Sequence, residues 1–418
     1  MSTTDTQHAP DTLRGAELAV LAQALNDQRT RSVDVVAPAK KLTCSLGAIC
    51  VDGVDPVVGE EGVTVVNGAY TPTRVGDEGL SQNLGIPLNY LRRMREHNIA
   101  LYDANVDGWL HRDDRSFLLR LLTHRDGPNP DDTSGVLRAV LSTSYRCIDH
   151  FDVLLAALKG LTDAGVTDPI IDADLTERRM VVRVSTPDIA IHAPALLEGY
   201  RSPWGGQDVG GAWTPERVAR VTQREHKEIE DGGDVVFAGF VISNSETGNG
   251  AFSLTPRLTV KVCTNGLLIT ADAERSVHLG ARMEDGRVPW SDRTARKNLD
   301  LITSQTTDAV REFLTPDYVR QAVSTLEAIA GIPVVDADAV ITAVAKKLSF
   351  SEADQKAILA CYIRGGQMTC GGIMQAVTAA AQTLADGDAA WEMELRGVAA
   401  MREAVNATRA LAKVGASA

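Results

Sequence analysis

The sequence predicts an α+β protein with a mixed N-terminal half, a central antiparallel β-meander and a helical C-terminal third. Two observations carry that prediction. Strand-like runs follow one another between turn signals from Asp234 to Gly280. After Trp290 the apolar spacing becomes helical, and most segments open on Asp, Ser or Gly.

In chain order, Leu13, Leu18, Leu21 and Leu25 share one face and predict a helix from Thr12. Residues 42–70 read as β-rich. Val63–Val66 followed by Asn67-Gly68 predicts a hairpin, because Asn-Gly supplies two positive-φ positions. Asp77–Asn98 reads as two short helices separated at Gly85, with Pro87 opening the second. A helix-turn-helix is the alternative, but no chain-wide basic charge supports a DNA-reading helix. Phe117–Leu122 and Gly135–Ser142 read as strands. Asp149 or Asp152 starts an amphipathic helix, and Met180–Ser185 alternates like a half-buried strand. Glu198–Thr214 is a glycine-rich loop with Trp204 and Trp213. Six helices are predicted after Trp290: Ser291–Phe313, Asp317–Ala330, Asp336–Lys347, Ser351–Tyr362, Gly371–Leu384 and Asp388–Ala410. These divide the chain into a disordered tail (1–11), a mixed region (12–134), a core domain (135–315) and a helical region (316–418).

Composition narrows the function classes. The 418 residues are 44% hydrophobic and 23% charged, ordinary for a globular protein. No run of about 18 apolar residues suggests a membrane span, and the N-terminus lacks the pattern of a signal peptide. A cytoplasmic protein is expected. The six cysteines form no CxxC pair and predict reduced thiols rather than a metal site. A net charge of −13 argues against chain-wide affinity for nucleic acid, though not against a local basic groove.

The order SNSETGNGAF, RLTVKVCTNGL and RSVHLG, followed by a long polar helix and preceded by AVLSTSYRCIDHFDVLLAAL, resembles the phage/plasmid-like proteins of the domain of unknown function 932 family. The resemblance covers about residues 115–315, and the C-terminal stretch from GGQMTCGG resembles phage members. It implies mobile-element cargo and a role near DNA replication or recombination; it implies no settled activity.

Several residues are candidates for binding. Arg275–Asn298 is the most basic central stretch: Arg275, Arg282, Arg293, Arg296 and Lys297 interleave with His278 and Trp290. Cations that neutralise phosphate beside an aromatic stacking face suit single-stranded DNA. Arg257 and Lys261 share one strand face and would extend the patch if that face is exposed. A second set, Ser243, Asn244, Asn249, Asn265 and Arg146, would make a polar ligand site at the glycine-rich turns. The competing reading of SNSETGNGAF is a turn in which Asn244 and Asn249 cap backbone groups. No triad, metal set or cofactor motif is found, so no catalytic residue and no cofactor is assigned, and a non-enzyme is expected. The leading expectation is a phage-type protein that binds or anneals single-stranded DNA as a homo-oligomer. The alternative is a phage accessory factor that binds a host protein without DNA contact.

Overall fold

The computed structural model describes residues 12–59, 62–123, 134–145, 147–201, 235–260, 266–268, 274–276 and 292–415. The expected tail at 1–11 and nearly all of the Gly-Trp loop lie outside them. The α+β class and the helical C-terminal portion are as the sequence predicts.

The described residues open with β1 (Leu13–Ala16) and α1 (Leu18–Arg31). The helix therefore starts later than the leucine spacing predicts. Gly15 takes a left-handed φ of 57°, and Leu13 pairs with Leu175, so the first residues complete a sheet edge. The N-terminal sheet then uses β2 (Ser32–Pro38), β3 (Leu42–Ser45), β4 (Ala48–Val51), β7 (Gly68–Pro72), β8 (Ser116–Thr123) and β9 (Ser134–Ser142). Their order is β2-β8-β9-β7-β4-β3, and the one parallel pair is β7 with β9. A separate hairpin joins β5 (Val57–Gly59) to β6 (Gly62–Thr64). Asn67-Gly68 is thus not a hairpin turn between Val63–Val66 and the next strand. Asn67 instead imitates a strand partner, accepting from Val54 N at 3.0 Å and donating to Val54 O at 3.1 Å.

Three helices cover this sheet: α2 (Arg74–Leu84), α3 (Leu88–His97) and α4 (Ile99–Leu110). Gly85 ends α2 with φ 70°, as its position predicts. Gly76 lets α2 lie on β9, because a Cβ there would stand 2.4 Å from the Leu137 carbonyl oxygen. The core beneath contains Leu80, Leu91, Tyr102, Val106, Leu119 and Leu137.

The second sheet has the order β1-β10-β11-β12-β13-β14, with β15 also on β13. Its strands are β10 (Ile170–Leu175), β11 (Met180–His192), β12 (Val235–Asn244), β13 (Phe252–Val260), β14 (Gly266–Leu268) and β15 (Glu274–Ser276). This is the predicted meander. Strand β11 is buried on both faces over Met180–Ser185, not half-buried. One face packs on α1 and α5 (His150–Asp163), and on α7 (Asp292–Phe313), through Val182, Phe240, Ile242, Val153 and Ile302. Gly160 brings α5 and α7 together: a Cβ there would stand 2.7 Å from Thr306 Cβ.

After the short α6 (Pro194–Leu197) and α7 come α8 (Pro316–Ala330), α9 (Ala337–Leu348), α10 (Glu352–Gly365), α11 (Cys370–Gln382), α12 (Gly387–Glu394) and α13 (Gly397–Gly415). The expected starts at Asp336 and Ser351 hold, each accepting a helix N–H, whereas the helices expected from Gly371 and Asp388 are capped two residues earlier, by Thr369 and Asp386. The predicted 388–410 helix is two helices, α12 and α13. The expected boundary at residue 135 falls inside β9, which pairs with β8 and β7 in the N-terminal sheet. None of the described helices is long and apolar enough to cross a membrane.

Candidate functional site

The SETGNG turn after β12 is packed inward, with Ser245, Glu246 and Thr247 all buried. Glu246 is the hub of a charged node between the two sheets. Its Oε2 accepts from Arg138 Nη1 at 2.7 Å and lies 3.3 Å from Arg120 Nη2. Its Oε1 accepts from the backbone N–H of His150 at 2.5 Å. Glu246 thereby does for α5 what Asp149 or Asp152 was expected to do. The Asp149 side chain caps nothing and pairs with Arg120 instead. Arg120 also meets Asp34 at 2.9 Å.

Both arginines are 2% exposed on their side chains, so their charges depend on these carboxylates. Burial pushes the Glu246 carboxyl up, but Arg120, His150 and Arg138 outweigh it and hold it below the usual range. Burial pushes His150 down to about 4, against the pull of Glu246. The imidazole is therefore neutral at pH 7, and its Nδ1 lies 2.9 Å from Asn244 Nδ2.

A second charged node lies on the opposite face of the central sheet. Arg183 on β11 donates to Asp174 at 2.7 Å and to Glu394 at 3.1 Å, and contacts Asp172 at 3.4 Å. Asp174 also binds Arg14 and accepts from Gly15 N. Trp391 packs on Val181 and Val241 beside it, so α12 seals this face. Arg257 belongs here. It is 4% exposed, and burial lowers its pKa while the Glu394 carboxylate opposes that shift. The expectation that Arg257 extends an exposed basic patch is corrected: its strand face is covered by α12 rather than open to a phosphate.

A polar cleft of about 280 Å³ opens where these parts meet. Arg14, Arg74 and Arg178 face Glu177, Asp386 and Asp388 across it. The carboxylates are already engaged. Asp386 caps α12, Asp388 contacts Arg179 at 3.1 Å, and Glu177 takes N–H bonds from Arg74 and Val75 at the start of α2. Arg178 reaches Glu78 on α2, Asn249 at 3.2 Å and Asp388 at 3.7 Å. The cleft is a charge-balanced junction of three regions.

Of the expected ligand set, Ser243 pairs with Ser253 at 2.9 Å, and Asn244 donates to Ile148 O at 3.1 Å. Asn249 donates to Thr247 O at 3.3 Å. Asn249 thus caps the turn as the competing reading expects, whereas Asn244 reaches the distant Ile148 instead and Ser245 Oγ accepts from Thr247 N and Asn249 N within the turn; the buried Ser243 and Asn244 are not an exposed phosphate nest. Arg146 and Asn265 lie outside the described residues. So do Lys261, His278, Arg282 and Trp290 of the expected DNA set. Arg275 falls in β15, and its side chain is not described. Arg293, Arg296 and Lys297 are exposed in the first two turns of α7.

Among the described residues no group of His, Cys, Asp or Glu is arranged to hold a metal ion. Burial raises the Cys44 and Cys147 thiols, the opposite of what a nucleophilic thiol requires. Sequence reasoning missed Glu246, Arg120, Arg138 and Arg183. The one signal was Glu246 itself, a carboxylate in a turn otherwise made of hydroxyls, amides and glycines. No family model, curated protein or solved structure matches the chain.

Proposed function

We propose that the chain is a phage-type nucleic-acid-associated protein that binds single-stranded DNA along the basic start of α7 and the segment leading into it. One observation carries this reading. Arg293, Arg296 and Lys297 stand at i, i+3 and i+4, all exposed, at the N-terminal end of a 22-residue helix. Spaced this way they share one face. Arg293 lies in the first turn, where a cation opposes the helix dipole, so the dipole does not favour it there. The acidic remainder, at a net charge of −13, confines DNA to such a local surface.

Binding is tested by fluorescence anisotropy with a labelled oligonucleotide of about 40 nucleotides, single-stranded and duplex, at two salt concentrations. The expected result is salt-sensitive, single-strand-preferring binding that the Arg293→Ala/Arg296→Ala/Lys297→Ala variant weakens. No binding at low salt overturns the reading in favour of a protein partner.

A further inference from the structure

Arg257 is buried, and among the described residues its guanidinium makes no hydrogen bond and no ion pair; its Nε has no acceptor. The other buried arginines each hold a carboxylate, Arg120 at 2.9 Å and Arg138 and Arg183 at 2.7 Å. The carboxylates around Arg257 are spent. Glu394 and Asp174 receive Arg183, Asp174 also takes Arg14 and Gly15 N, and the partly exposed Asp172 stands 3.4 Å from Arg183. They act on Arg257 from a distance, and none pairs with it. A buried lysine in this position would shed its proton. A guanidinium does not, so its charge and its five N–H donors stay and need acceptors.

The sheet builds a polar floor around this group. Register sets Arg257 opposite Gly239 on β12, and Gly239 opposite Ser185 on β11, so the three share one face. Strand β11 comes too close for any side chain at Gly239, where a Cβ would stand 2.2 Å from Val184 O. The row therefore has no side chain between Ser185 and Arg257. Buried Thr255 and Thr259 lie two residues to either side of Arg257 on the same face of β13. Thr259 Oγ1 meets Ser185 Oγ at 2.8 Å, which leaves one of the two hydroxyl hydrogens free.

We propose that Arg257, with the hydroxyls of Thr255, Thr259 and Ser185, binds a small oxyanion beneath α12. The guanidinium fork matches a pair of oxygens on one centre. The hydroxyls donate to what the fork leaves open. Asp174 and Glu394 already balance Arg183 and Arg257 in charge, so the site lacks acceptor oxygens rather than net charge, and a singly charged oxyanion suits it best. A carboxylate and a phosphate share this chemistry. The inference stands apart from the DNA reading.

The test is thermal unfolding of the full chain at matched ionic strength in chloride, acetate and phosphate. Wild type should unfold about 2–4 °C higher in acetate or phosphate than in chloride, and the anion with the larger shift marks the kind of occupant. Arg257→Met should lose that shift, apart from the general strengthening of apolar burial that phosphate brings. In chloride it should unfold no lower than wild type, because an unpaired buried charge is gone. Arg257→Lys, which lacks the fork, should keep only part of the shift. The Arg293→Ala/Arg296→Ala/Lys297→Ala variant should keep all of it, which separates this site from the surface proposed for DNA. A wild type equally stable in the three salts overturns the proposal. So does an undiminished shift in Arg257→Met, or its loss in the triple variant. Arg257→Met unfolding well below wild type in chloride also overturns it, because the guanidinium would then be satisfied without an anion.

Discussion

Changing Glu246 to Gln keeps the shape of the side chain and removes its charge. In the native chain that carboxylate receives Arg138 at 2.7 Å, lies 3.3 Å from Arg120 and caps α5 through His150 N at 2.5 Å. Arg120 retains Asp34 and Asp149, both partly open to solvent. Among the described residues Arg138 has no other carboxylate partner, and its Nε and Nη2 already lack acceptors. A buried guanidinium left without its counter-charge costs about 3–5 kcal/mol. Part of the helix cap survives, because the amide oxygen of Gln still accepts from His150 N. Urea unfolding at pH 7, followed by circular dichroism, measures the loss as a lower midpoint with an unchanged slope. Arg138→Met in the same background should then recover part of it, because the orphaned charge is gone. A loss below about 1 kcal/mol, or a further loss in the double variant, would refute the assignment of Glu246 as the counter-charge.

Other outcomes follow from the same structure. His150 binds no proton in the folded chain until about pH 4, whereas the unfolded chain binds one near 6.5, so stability should rise with pH between those values. His150→Asn should flatten that window by up to about 3 kcal/mol, read from unfolding curves at several pH values. Gly160→Val must push α5 from α7, because its Cβ would lie 2.7 Å from Thr306 Cβ, and should lose about 1–3 kcal/mol in denaturant unfolding. The Arg293, Arg296 and Lys297 triple change to Ala should leave the unfolding free energy from urea curves within about 0.5 kcal/mol of wild type, because all three are exposed.

Much of the fold was legible because its signals are local. Ser351 with Asp354 makes a capping box, Gly85 a left-handed helix end, and β12 and β13 a hairpin about the SETGNG turn. The misreadings arose where a distant partner decides. Leu13 looks helical until Leu175 pairs with it, and Asn67-Gly68 looks like a hairpin turn until Val54 claims the amide. Arg257 reads as a surface cation because the sequence does not reveal that α12 closes over its strand. Glu246 was legible as an oddity, but not as a hub, because Arg138 lies 108 residues away.

The pairing of Arg183 with Glu394 also has a consequence in time. The two are separated by 211 residues along the chain. At ribosomal speeds of about 5–20 residues per second, the acid follows its arginine by about 10–40 s. Through that interval Arg183 has only Asp172 and Asp174 for company, and the sheet face that Trp391 will cover stays bare. The central meander thus waits for the last tenth of the chain before its second face can close. A ribosome paused before codon 391 would hold out an unfinished apolar strand surface, the state in which a chaperone would find this protein.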